Sequence, residues 1–175
     1  MHRSLSRAAG LCGSAALALA FAACGDDEPA TAVETSAVVL NNRSVTPALV
    51  KSLVAGVDIY SLVSSDDVLP DSPNFIFGGS ADGSGLIKNS DGTFTALVNN
   101  EDNYSISRLT FDNTFKPIKG EYVVNSTAGK YRMCSATMVT LAEHGFGPLY
   151  LAGGETNEES QILAVNPSGA ANTPT

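Results

Sequence analysis

Three short stretches of this sequence carry side chains able to bind a metal ion. Asp82-Gly83-Ser84-Gly85 sets a carboxylate in a loop whose glycines let backbone approach a ligand closely. Asn99-Asn100-Glu101-Asp102-Asn103 is a run of oxygen-bearing side chains at the end of an apolar strand, the donor type that calcium takes. Cys134-Ser135-Ala136 and Gly153-Gly154-Glu155-Thr156-Asn157-Glu158-Glu159 together offer a thiolate and carboxylates, a mixed set that can hold iron or another transition ion. Taken singly, each has a plainer reading: a turn, a solvated loop, and a buried Cys beside a polar loop. His144, in Glu143-His144-Gly145-Phe146-Gly147, reads as a surface loop residue. With no second His beyond the leader and no Ser in a nucleophile elbow, no hydrolase triad can be assembled.

Whether Cys134 is free for such chemistry depends on the other two cysteines. Basic Met1–Arg7 is followed by an apolar run, Ala8–Ala23, the layout of a secretory signal. That run is about 15 residues, short of the roughly 20 a bilayer core requires. It ends in Phe21-Ala22-Ala23-Cys24, which resembles the lipobox of bacterial lipoproteins, and Gly25-Asp26-Asp27-Glu28-Pro29 then turns polar. Residues 1–23 are therefore expected to be a signal peptide and Cys24 the lipidated N-terminus, an ordinary cleaved signal being the alternative. The expected location is the bacterial cell envelope, lipid-anchored. Acidic residues after Cys24 resemble an export tag and favour the outer membrane or cell surface. Cys12 then leaves with the signal and Cys24 is acylated, so Cys134 is the only thiol left to the folded part and has no partner for an intrachain disulfide.

The 175 residues carry ten basic and 18 acidic side chains, a net charge of −8. Losing the leader removes Arg3 and Arg7 and no acid, so the mature part is more acidic still. Nucleic acid, which demands a basic face, is excluded as a partner. Residues 24–37 are Asp, Glu, Pro, Thr and Ala with few large apolar groups, and read as a flexible tether after the acylated Cys. Residues 38–166 are the expected folded part. Residues 167–175 have no apolar pattern and read as a disordered tail or a truncation point.

The elements that must position the candidate ligands are mostly strands. Thr46-Pro47-Ala48-Leu49-Val50-Lys51-Ser52-Leu53-Val54 has an N-cap Thr, Pro at the first helical position and apolar residues at helical spacing, which predicts one short N-terminal helix. Leu86-Ile87-Lys88 and Thr93–Val98 flank Asn89-Ser90-Asp91-Gly92, a hairpin turn signal. Ser105–Phe111 alternates polar and apolar residues, and Tyr122–Val124, Ala136–Leu141, Leu149–Ala152 and Gln161–Val165 are further strands. The predicted class is mainly β and antiparallel: a sandwich, barrel or propeller, which periodicity does not distinguish.

The order of the motifs narrows this. Phe77–Gly85, then Asp91–Glu101, then Arg132-Met133-Cys134-Ser135-Ala136, then Leu149–Glu155 resembles the opening of the PhoX family of secreted phosphatases and its uncharacterised relatives. The likeness runs over about residues 57–166 and rests on the order and spacing of short motifs. It implies a β-propeller, here a partial or truncated one, with calcium and iron as cofactors and phosphate esters as substrates. By position it assigns metal binding to Glu101, Cys134 and Glu155; Asp82, read from its own glycine-flanked loop, is a weaker ligand candidate. Two positions depart from the family: Asn100 stands where it has His, and Thr156 follows Glu155 where a second Glu is usual. The family's later ligands have no counterpart before Thr175.

Three functions are therefore open: a PhoX-like phosphatase or a fragment of one, a non-catalytic surface lipoprotein that binds a ligand, and a β domain whose acidic loops are stapled by calcium. The membrane, through the lipid on Cys24, is the expected partner in each.

Overall fold

The computed structural model describes residues 38–126, 132–155 and 160–170. The expected signal peptide, the acylated Cys24 with its tether to residue 37, the Thr156–Glu159 part of the candidate acidic loop, and residues 171–175 lie outside the described residues. Among the described residues, no helix is long and apolar enough to cross a membrane.

Seven strands among the described residues form two antiparallel sheets, so the mainly β expectation holds. β1 (Ala81–Lys88), β2 (Phe94–Asn100), β3 (Ser105–Phe111) and β4 (Pro117–Val124) make a four-stranded meander in chain order. β5 (Met133–Val139), β6 (Leu149–Gly154) and β7 (Ile162–Val165) make a three-stranded one. The first hairpin turns where the Asp-Gly signal lies: Gly92 has φ +86°, and the Asn89 amide donates to the Thr93 carbonyl at 2.8 Å.

β2 shows why these residues form strands without a wet face. Its even positions, Phe94, Ala96 and Val98, pack with Leu109, Phe111, Phe115, Leu69 and Phe75 on one side of the first sheet. On the other side Leu97, with Ile106, Val123 and Val124, meets Met133, Met138, Tyr150, Ala152 and Val165 of the second sheet. Both faces are covered, so apolar residues occupy both parities. Fully burying a side chain such as Leu97, Ile106 or Leu109 contributes about 1.5–3 kcal/mol.

The sheets meet most closely at β1 and β5. A Cβ added to Gly83 would lie 2.2 Å from the Cys134 carbonyl oxygen, and one on Gly85 would lie 2.8 Å from Met138 Cβ. The stretch read as a ligand-binding glycine loop is thus the first half of a strand, and its glycines serve strand-on-strand approach.

The predicted helix over 46–54 is not formed. Leu49 and Leu53 are 86% and 89% exposed, so the apolar spacing finds nothing to pack against, and a short helix without tertiary support does not offset its nucleation cost. The Thr46 hydroxyl, expected as its cap, instead contacts Ser64 Oγ and Asp66 Oδ2. One described helix exists, α1 (Leu141–His144), where a strand was expected to end. Thr140 caps it, Gly145 closes it at φ +79°, and His144 Nδ1 accepts from the Thr140 amide at 3.1 Å. Nor are residues 167–170 a loose tail: Arg108 Nη1 donates to the carbonyls of Pro167 and Gly169 at 2.9 and 2.7 Å.

Candidate metal centre

Asp82, Glu101 and Cys134 each bring one ligand atom to a common point, all three atoms lying within 4.8 Å of one another. They come from distant parts of the chain. Asp82 is near the start of β1, Glu101 directly follows β2, and Cys134 is the second residue of β5. β1 pairs with β2, Ala81 opposite Asn100, which brings Asp82 beside Glu101. The glycine contact between β1 and β5 brings in Cys134.

Both strands are irregular where they carry a ligand. The β1–β2 register shifts between Ala81 and Ser84, and the β5–β6 register between Met133 and Ala136. Such shifts re-aim side chains out of the strict alternation of a strand. Nearby, the turn after β2 is held by Ser80 Oγ, which donates to Asp102 Oδ1 at 2.6 Å. The close passage there favours glycine at Gly78, where a Cβ would lie 2.4 Å from Cγ and 2.6 Å from Cβ of buried Asn100; at Gly79 a Cβ would meet only the tip of the Asp102 side chain.

The local field is negative. The Cys134 thiol donates to Asp82 Oδ2 at 2.8 Å. That bond, with partial desolvation and the charges of Asp82, Glu155 and Glu101, pushes the thiol up to about 11. Without a cation, then, Cys134 is protonated at neutral pH and is no nucleophile. A transition ion reverses this, because a coordinating thiol is deprotonated outright.

Arg132 supplies the compensating positive charge. Its guanidinium pairs with Glu101 Oε2, and its Nε lies 3.5 Å from Glu155 Oε1. The Glu155 amide also donates to the Arg132 carbonyl at 2.9 Å. Of the four residues named as ligand candidates from the sequence, the structure therefore gathers Asp82, Glu101 and Cys134, and sets Glu155 against Arg132 beside them.

Two further side chains support the group from within the core. Asn99 and Tyr150 are both wholly buried. Asn99 Nδ2 donates to the carbonyls of Cys134 and Ser135 at 3.2 and 3.4 Å. The Tyr150 hydroxyl lies 2.8 Å from Asn99 Oδ1 and 2.9 Å from the Gly83 carbonyl oxygen, its single hydrogen shared between them. Burial raises the phenol far above its ordinary range, so it remains a donor. Asn100 is also buried: its Nδ2 donates to Ser105 Oγ and Ser107 Oγ at 3.0 and 2.8 Å, while its Oδ1 has no partner among the described residues.

Two carboxylates and one thiolate fit a thiolate-tolerant transition ion such as iron better than calcium, which takes six to eight oxygens. Neither a protein-family model, nor a curated protein, nor a solved structure matches this chain.

Proposed function

We propose that this chain is an envelope lipoprotein, anchored through Cys24, whose β domain holds a transition ion of the iron type at Asp82, Glu101 and Cys134 and belongs to a PhoX-like phosphomonoesterase. The observation that carries the reading is the convergence of those three ligand atoms within 4.8 Å, two of them from Glu101 and Cys134, which the family resemblance marks by position, and the third from Asp82, the weaker candidate of the Asp-Gly loop. The strand order supports it too. A four-stranded meander followed by a three-stranded one, with their first strands in contact, is consistent with successive propeller blades laid down around a channel. The outer face of the second sheet, where Ile162 is 77% exposed beside Thr137 and Leu151, would seat a further blade.

In this reading Asp82, Glu101 and Cys134 would hold the cation, which would supply Lewis-acid polarisation of a phosphoryl oxygen when bound. Arg132, beside Glu101 and Glu155, offers the planar donor fork that phosphate oxygens accept from.

The test is metal analysis and phosphomonoester hydrolysis by the chain carrying Cys24→Ser, which purifies without lipid. The proposal expects iron that is lost in Cys134→Ser, and turnover of a generic aryl phosphate that is lost in Glu101→Gln. Protein without metal overturns it. Palmitate labelling of the native chain, abolished in Cys24→Ser, checks the anchor separately.

A second reading, a non-catalytic surface domain, is favoured by one observation. Arg132 already pairs with Glu101 and Cys134 with Asp82, so the group is charge-compensated and hydrogen-bonded without a cation. Calcium alone, or a folded metal-free protein without turnover, selects this reading.

A further inference from the structure

We propose that Asn99 and Tyr150 are positioning residues that lock the three metal-ligand segments to one another; the inference rests on the metal reading above and extends it to residues that touch no ligand atom. Both register shifts leave backbone without a strand partner. Gly83, next to Asp82, faces no residue of β2, and Cys134 and Ser135 face no residue of β6. Their carbonyls are the ones that Tyr150 and Asn99 reach: Gly83 through the phenol, Cys134 and Ser135 through the amide nitrogen. These carbonyls are only partly shielded from water, and donors from the core give them the partners that the bulged strands do not.

The amide orientation follows from chemistry. Backbone carbonyls only accept, so the Asn99 nitrogen must face Cys134 and Ser135, which turns Oδ1 toward the phenol hydrogen. Asn99 itself lies two residues before Glu101 on the same chain segment. One buried pair of side chains thereby ties the Asp82 segment, the Glu101 segment and the Cys134 backbone together, although these are spread over three strands. The hydrogen bonds of both side chains go to backbone carbonyls and to each other, not to the Asp82, Glu101 or Cys134 ligand atoms. Supports of this kind fix the geometry of a metal site, and losing one typically weakens metal affinity about 10–100-fold.

The test titrates Co²⁺ into the metal-free Cys24→Ser chain and follows the thiolate-to-metal charge-transfer band, which requires Cys134. Tyr150→Phe and Asn99→Leu are expected to weaken Co²⁺ binding by about 10-fold or more and to shift the band. Val123→Ala, a buried truncation on β4, is the control for stability: it is expected to lower the melting temperature and leave band and affinity unchanged. If the hub variants bind Co²⁺ like that control, Asn99 and Tyr150 are merely core residues and the inference is overturned. A metal-free measurement separates the two readings. In Tyr150→Phe, the amide resonances of Asp82, Glu101 and Cys134 are expected to shift together; shifts confined to the neighbours of residue 150 overturn the positioning role. Failure of wild type to bind any metal, with the three amides still moving together, defeats the metal reading while leaving the coupling in place.

Discussion

Replacing Gly83 with Ala tests the contact on which the candidate centre depends. The added Cβ would lie 2.2 Å from the Cys134 carbonyl oxygen, 2.5 Å from the Ala136 amide nitrogen and 2.7 Å from the Ser135 carbonyl carbon. Ordinary contact begins near 3.4 Å, so β1 and β5 must part by about 1 Å. All three atoms are backbone, and no rotamer change relieves the clash. Overpacking of this kind costs about 1–3 kcal/mol, and a backbone clash belongs at the upper end, which for a domain of this size is a fall in melting temperature on the order of 10 °C. The reference is Gly92→Ala, where φ is +86° but nothing lies within 4 Å of the added Cβ. Only the left-handed conformation is penalised there, by about 1–2 kcal/mol. Thermal melts followed by circular dichroism, with Co²⁺ titrations of both variants, decide the matter. Gly83→Ala is expected to melt lower than Gly92→Ala and to lose the Cys134 charge-transfer band, which Gly92→Ala keeps. Equal melting temperatures with an intact band would refute the argument that strand approach builds the centre.

Three other outcomes are expected. Asp82→Asn removes the main cause that holds the Cys134 thiol at about 11, so metal-free alkylation by iodoacetamide at pH 8 should speed up by about severalfold, the larger thiolate fraction outweighing its lower nucleophilicity. Partial burial alone would raise the Asp67 carboxyl, but donors from Ser44, Val45 and Ser64 outweigh it and hold the group below the usual carboxylate range. Its contribution to stability is thus present above its unfolded value near 4 and is lost as pH falls through the lower folded value; denaturant melts should show Asp67→Asn flattening that acid-side loss. Arg108→Met strips the donors from Pro167 and Gly169 and leaves Glu121 with Lys119 alone, so a loss of about 2 kcal/mol and faster proteolysis after residue 165 should appear in urea melts and limited digestion.

Much of the strand framework was legible because period-two patterning and turn chemistry are local. The Asp-Gly turn and the alternation of Ser105–Phe111 lead to β1–β3 without any tertiary knowledge. Asp82, Glu101 and Cys134 were legible as donor types, and their order along the chain marked them. Their proximity was not, since it depends on two register shifts and on glycines whose purpose is fit rather than flexibility. Leu49, Val50, Leu53 and Val54 misled because helical spacing carries no information about whether a partner surface exists. Asn99 resembled one more solvated amide in a polar run. Its parity with Thr95 and Leu97, both buried on the face toward the second sheet, was the available signal that it points inward.

The hydrogen bond between Cys134 and Asp82 joins residues 52 apart in sequence, whereas the first sheet is closed entirely by neighbouring hairpins. Loop closure over that distance is rewarded only once both sheets exist, so the order of assembly is built into the topology. The four-stranded meander can form while β5 is still unplaced. During that interval the sole thiol after Cys24 lacks the carboxylate partner that keeps it protonated, so Cys134 ionises more readily, and meets oxidants more readily, than in the finished domain.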